Sequence, residues 1–232
     1  MCGIAGIYAP RSGERRGDGR ADIVRMTATL AHRGPNAQGQ WLADDGVIAL
    51  GHTRLSILDL SPAGAQPMVS HCGRYRLVYN GEIYNAAELR RRLEEDGERF
   101  RGHSDTEVLL AALAQWGIER TLRMLDGMFA FALWDLQARR LVLARDRLGE
   151  KPLYYGWHGA QLLFASELKA MHVMRPRCGR QSPEHLPNLL APPCLVCKQI
   201  AITPSRTPQS AVAHSVQLVL RARSDSAFRG FR

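Results

Sequence analysis

The chain has no apolar stretch long enough for a membrane span. Its longest apolar run, GMFAFALW (Gly127 to Trp134), stops far below the roughly 20 residues a helical span requires. IAGIYA, near the start, is too short for the core of a signal peptide. These absences exclude a helical anchor and give the cytoplasm as the expected location. Cysteine is sparse and odd in number, five in 232 residues, which excludes a disulfide framework and leaves reduced thiols. Cys194 and Cys197 lack the second Cys or His pair a zinc site needs, so no metal is expected. No two glycines are adjacent, and beyond residue 170 only Gly179 and Gly230 remain. Beyond residue 170, closely spaced glycines that would let backbone N–H groups cradle a pyrophosphate are therefore missing.

Acidic residues are scarce at one end. Residues 171–232 hold nine Lys/Arg against two Asp/Glu, which is +7 of the formal +9 and leaves only +2 for the first 170. The basicity belongs to the tail and does not point to a nucleic acid partner. Seven of the twelve prolines also lie in that tail, where neither a 3.6- nor a 2-residue period stands out except at SVQLVL (Ser215 to Leu220). An irregular segment is expected over 171–232.

Up to about residue 170, strand and helix signals come in groups, which favours an α+β fold. VIALGHTRLSIL (Val47 to Leu58) and YRLVYN (Tyr75 to Asn80) read as strands. FAFALWD and LVLARD, joined by QARR, read as a hairpin, and LLFASE (Leu162 to Glu167) reads as another strand. NAAELRRRLEEDG predicts a helix from a capping Asn85 to Gly97. SDTEVLLAALAQWG predicts one from the Ser104/Glu107 capping box to Gly117, with Asp105 in its first turn.

What is present at the extreme start carries chemistry. A small residue at position 2 lets Met1 be removed, which would give Cys2 a free α-amine beside its thiol. That amine has a reference pKa of about 7.7 to 8.0, so a useful neutral fraction can take the thiol proton. A thiolate attacking a carboxamide creates an oxyanion that needs placed donors. In YNGEIYN, Asn80 offers a side-chain N–H and Gly81 a backbone N–H. Arg54 and Asp105 could complete an amino-acid site, a guanidinium for a carboxylate and a carboxylate for an ammonium. His32, His52 and His103 read as structural hydrogen bonders, because the amine fills the role of base.

MCGIAGIY, HRGPNAQG, GHTRLSILD, YNGEIYN, HSDTE, GMFAFALWD, ARDRLGEKPLYY and FASELKA resemble, in that order, the glutaminase domain of class II glutamine amidotransferases. The resemblance is strongest to the glutamine-hydrolysing asparagine synthetase branch. It covers residues 2–170 and implies a four-layer αββα N-terminal-nucleophile sandwich. By the same resemblance Cys2 is the nucleophile and Asn80 with the Gly81 amide forms the oxyanion hole. Arg54 would bind the α-carboxylate of glutamine, Leu55, Ser56, Ile57 and Leu58 would line the pocket, and Glu82 with Asp105 would face the α-ammonium. The family's HRGP motif is usually followed by Asp, where this chain has Asn36. The family continues into an ATP-binding synthetase domain, and the motifs of that domain are not found after FASELKAM. The expectation is therefore a truncated chain without cofactor, ATP and Mg belonging to the missing domain, with a synthetase domain or subunit in trans as a possible partner and no membrane contact. Two other readings stand beside an active glutaminase: a non-catalytic remnant or partner-binding module, and a glutaminase serving another acceptor such as a sugar phosphate.

Overall fold

The computed structural model describes residues 1–10, 18–56 and 64–174, together with strands at 198–199 and 216–221. Two antiparallel sheets form its centre. The first holds β1 (Gly3–Tyr8), β2 (Ala37–Leu42), β3 (Ile48–Arg54), β8 (Tyr154–His158), β9 (Gln161–Ala165) and β10 (Lys198–Gln199), in the order β10-β8-β9-β1-β3-β2. The second holds β4 (Met68–Val69), β5 (Tyr75–Ile83), β6 (Gly127–Asp135), β7 (Arg140–Arg145) and β11 (Val216–Arg221), in the order β11-β7-β6-β5-β4.

Side chains alternate across each strand, and the destinations of the two faces define the layers. From β6, Ala130, Ala132 and Trp134 meet Ile4, Tyr8, Leu50 and Phe164 of the other sheet. The opposite face of β6, Phe129, Phe131 and Leu133, packs under α2 (Ala86–Glu95), α3 (Asp105–Gln115) and α4 (Ile118–Met124). In the first sheet Ala5, Ile7, Ala49 and Leu163 turn outward to α1 (Gly19–Ala28) and α5 (Leu168–His172). The result is helix, sheet, sheet, helix, the four-layer sandwich expected. Because both faces of each central strand are covered, the strands read as unbroken apolar runs and not as polar–apolar alternation. Gly6 belongs to this packing: a Cβ there would stand 2.0 Å from the ring of Phe164.

The helix signals are borne out with one difference of detail. Asn85 sits at the start of α2 but makes no side-chain cap. Its amide donates to the Met124 carbonyl (2.8 Å) and accepts from the Asp126 N–H (3.0 Å), tying α2 to the end of α4. Ser104 does cap α3, accepting from the Glu107 N–H. The Glu107 carboxylate also accepts from the N–H groups of Arg101 (2.8 Å) and Gly102 (2.9 Å) and so fixes the approach to the helix. Gly97, at φ +92°, ends α2 as expected, with Glu98 N–H donating to the Leu93 carbonyl and Gly97 N–H to the Glu94 carbonyl.

Within the segment expected to be irregular, SVQLVL provides β11, which pairs with β7 from Val216↔Arg145 to Arg221↔Arg140. β10 pairs with β8. Both strands take up the open backbone groups of a sheet edge, the site at which an extended segment gains most from pairing. The remainder of 175–232 lies outside the described residues.

Candidate active site

The register of β1 on β3, with Gly3 opposite Thr53, carries Cys2 alongside Arg54 and Leu55. The Cys2 thiol lies 3.4 Å from the Leu55 N–H and 3.8 Å from its carbonyl oxygen. On the facing sheet, β5 sends Val78 into the inter-sheet core and Tyr79 toward the helices, so Asn80, two residues on from Val78, turns back toward the inter-sheet side. Cys2, Arg54, Leu55, Ser56, Asn80, Gly81, Glu82 and Asp105 line one cavity of about 220 Å³. That is below the roughly 300–1,000 Å³ usual for drug-sized ligands and suits one small molecule. Ile57 and Leu58 lie outside the described residues.

Asn80 is 2% exposed, and its amide nitrogen has no hydrogen-bond partner among the described residues. A buried donor left unpaired is rare and needs a reason; here it borders the cavity that holds the thiol. Gly81 has a packing reason as well, since a Cβ would come within 2.4 Å of the Met128 carbonyl oxygen on β6.

Asp105, placed by the Ser104 cap, accepts at one oxygen from the Tyr79 hydroxyl (2.7 Å) and from the Ile83 N–H (3.1 Å). Burial nonetheless holds its carboxyl above the usual aspartate range, against the pull of those two donors. A cation entering beside it would relieve that penalty. Arg54 packs its guanidinium against Gly64, where a Cβ would stand 2.2 Å from Nη2. Asn36, the departure from the expected motif, accepts from the Ser56 N–H at 3.0 Å through its amide oxygen, while its own N–H donates to the Arg54 carbonyl. An aspartate would present an acceptor oxygen at the same point.

Sequence reasoning assigned no role to several residues at this place. Tyr79, Gln66, Thr106, Met128 and Lys151 share the cavity wall. Tyr79 N–H donates to Gln66 at 2.6 Å, and Gln66 donates to Thr106 at 3.4 Å. Lys151 is buried, its ammonium 3.5 Å from the Met1 sulfur. Arg33, within the HRGP motif, donates from Nε to the Cys2 carbonyl at 3.0 Å. His52 is fully enclosed and donates to the Tyr79 carbonyl (3.1 Å); burial pushes its imidazole down to about 4, so it is neutral and structural. Among the described residues no three His, Cys, Asp or Glu side chains converge as metal ligands would.

A family model described as a glutamine amidotransferase domain matches residues 1–202. The chain belongs to the glutamine amidotransferase domain family. Glutamine-hydrolysing asparagine synthetase 3 of Bacillus subtilis is 40% identical to this amidotransferase domain over 173 residues, covering 74% of the chain and 27% of the synthetase. Asparagine synthetase B of Escherichia coli is 41% identical over 175 residues, 74% of the chain and 30% of the synthetase. The amidase chry2 of Gibberella zeae is 40% identical over 177 residues, 73% and 26% respectively. The amidotransferase chain thus spans between a quarter and a third of the length of these curated relatives. Among solved structures, glutamine phosphoribosylpyrophosphate amidotransferase from B. subtilis, complexed with ADP and GMP, superposes with a TM-score of 0.64 at 25% identity, over 74% of this chain and 43% of that one. The N-terminal-nucleophile sandwich expected from the motifs is therefore its fold.

Proposed function

We propose that this amidotransferase domain hydrolyses glutamine to glutamate and ammonia through a γ-glutamyl thioester on Cys2. The observation that carries the reading is the single cavity in which the Cys2 thiol and the uncommitted Asn80 amide both stand. Removal of Met1 converts the Cys2 nitrogen from an amide without a basic lone pair into an amine. The amine takes the thiol proton, and the thiolate adds to the γ-carboxamide carbon. Asn80 and the Gly81 N–H donate to the oxyanion. Its collapse breaks the C–N bond as the Cys2 α-ammonium returns its proton to the leaving nitrogen, which departs as ammonia. Water then attacks the thioester as the amine takes its proton, and glutamate leaves as the thiol is restored. Arg54 pairs with the substrate carboxylate, Asp105 and Glu82 face its ammonium, and Leu55 and Ser56 wall the pocket.

The asparagine synthetase branch is the favoured setting, supported by relatives of that name at 40–41% identity against 25% for the phosphoribosylpyrophosphate enzyme. In that setting an ATP- and Mg-using acceptor domain or subunit would receive the ammonia, and a reducing cytoplasm would keep Cys2 a thiol. The test is ammonia release from glutamine by the purified chain, with intact mass read on the same sample. The reading expects turnover only in protein that begins at Cys2; full turnover by protein that retains Met1 throughout contradicts it.

A further inference from the structure

Once Met1 is gone, Cys2 has a peptide bond on one side only, and its thiol and amine swing together about the bonds leading to Gly3. Something beyond β1 has to hold it. Arg33 does so at the Cys2 carbonyl, 3.0 Å from Nε. A long guanidinium is itself a poor anchor unless its other end is fixed, and this side chain is only 9% exposed. Its Nη1 donates to Glu167 Oε1 at 2.9 Å, and its Nη2 is buried without a partner among the described residues. Glu167 is thus the one carboxylate paired with this cation in the described structure.

Glu167 is in turn placed with precision relative to the nucleophile's strand. The residue before it, Ser166, takes both backbone groups of Ile4: its Oγ accepts from the Ile4 N–H (3.0 Å), and its own N–H donates to the Ile4 carbonyl (2.9 Å). The end of β9 is therefore locked to the start of β1, two residues from Cys2. On the solvent side Glu167 Oε1 also accepts from His32 Nε2 at 3.0 Å, and Oε2 pairs with Lys169 at 3.1 Å. Those two partners are half-exposed and exchange with water, whereas the arm toward Arg33 is enclosed.

We propose that Glu167 is a positioning residue for the nucleophile, acting through Arg33 to fix the Cys2 carbonyl and with it the direction of the thiol and the α-amine. This rests on the assignment of Cys2 above, and the experiment separates the two. Full-length protein with its N-terminus verified by mass is compared as wild type, Cys2→Ala, Glu167→Gln, Glu167→Asp, Lys169→Ala, Arg33→Lys and the Arg33→Lys/Glu167→Gln double variant. Glutamine hydrolysis is measured alongside site-resolved alkylation of Cys2 by iodoacetamide, read by peptide mass so that the exposed Cys72 does not interfere. Misplacing a reacting group by up to about 1 Å costs roughly 10- to 100-fold in kcat. Glu167→Gln is expected to lose that much kcat with little change in KM, and to slow Cys2 alkylation without glutamine present. The double variant should be no worse than Arg33→Lys alone, and Lys169→Ala should match wild type. If Glu167→Gln fails to fold by circular dichroism, Glu167→Asp carries the same test, since the shorter arm withdraws from Arg33. Wild-type kcat and alkylation in a folded Glu167 variant, or losses that simply add in the double variant, overturn the positioning role. Turnover by Cys2→Ala overturns the nucleophile assignment instead.

Discussion

At the residue scale, the donor and the clamp around Cys2 should separate kinetically. In the proposed mechanism Asn80 donates to a charge that exists only after the thiolate attacks, so Asn80→Ala is expected to lower kcat by roughly 10² to 10³ with a modest change in KM. With Arg54 as the proposed carboxylate clamp, Arg54→Ala would remove binding shared by ground and transition states and should act mainly on KM. Unchanged kcat in Asn80→Ala would remove that side chain from the oxyanion hole. His52 offers a separate test of pH dependence. Burial pushes its folded-state value down to about 4, below the ordinary imidazole value of about 6.5, so protons bind the unfolded chain more readily. Stability from this group is complete above pH 6.5 and falls between 6.5 and 4, with a slope approaching about 1.4 kcal/mol per pH unit. Glu167, held down to about 2 because donors from Arg33, Lys169 and His32 outweigh burial, adds stability that is complete above about pH 4.5 and is lost only as pH falls from 4.5 to 2. Urea unfolding across pH 7 to 4 should show the His52 decline. His52→Gln, which keeps a donor for the Tyr79 carbonyl, should flatten it.

At the scale of elements, the strongest local signals are legible and the weaker ones are not. α3 announces itself because the Ser104 cap, an apolar run and Gly117 all agree, and the β6–β7 hairpin because two apolar runs flank a short polar link. β1, β2, β4, β8, α1, α4 and α5 escaped the reading. Most are short or half-exposed, and β1, β2, β8 and α1 carry glycines, so their conformation is set by what they pack against and not by their own propensity. The site divides along the same line. Cys2, Asn80 and Asp105 sit in recognisable local strings, whereas Glu167 meets Arg33 across 134 residues of chain, a distance over which no periodicity carries a signal. The cap of α3 also links stability to substrate. Ser104→Ala should cost about 1 kcal/mol by thermal unfolding and, because Asp105 is the next residue, should raise KM for glutamine. A change in stability with no change in KM would detach the cap from the pocket.

For the molecule as a whole, the four layers do one thing that no single element could. The inter-sheet seam ends where β1 begins, so the chain's first reactive residue emerges between two sheets with a donor from the opposite one facing the same space. Buried apolar layers on both sides of each sheet hold that meeting rigid. β10 and β11 close one edge of each sheet from within a segment whose composition alone suggested no structure. Activation of an acceptor by ATP is not expected from these 232 residues, given the absence of adjacent glycines, and calorimetric titration with Mg-ATP should show no saturable binding. The covalent step at Cys2 is the centre of the account. Acid quenching of the chain during glutamine turnover, followed by peptide mass mapping, tests it most directly. A γ-glutamyl adduct on the Cys2 peptide, absent from Cys2→Ala together with ammonia release, is the expected result; ammonia release that persists in Cys2→Ala, or an adduct on another residue, would contradict it.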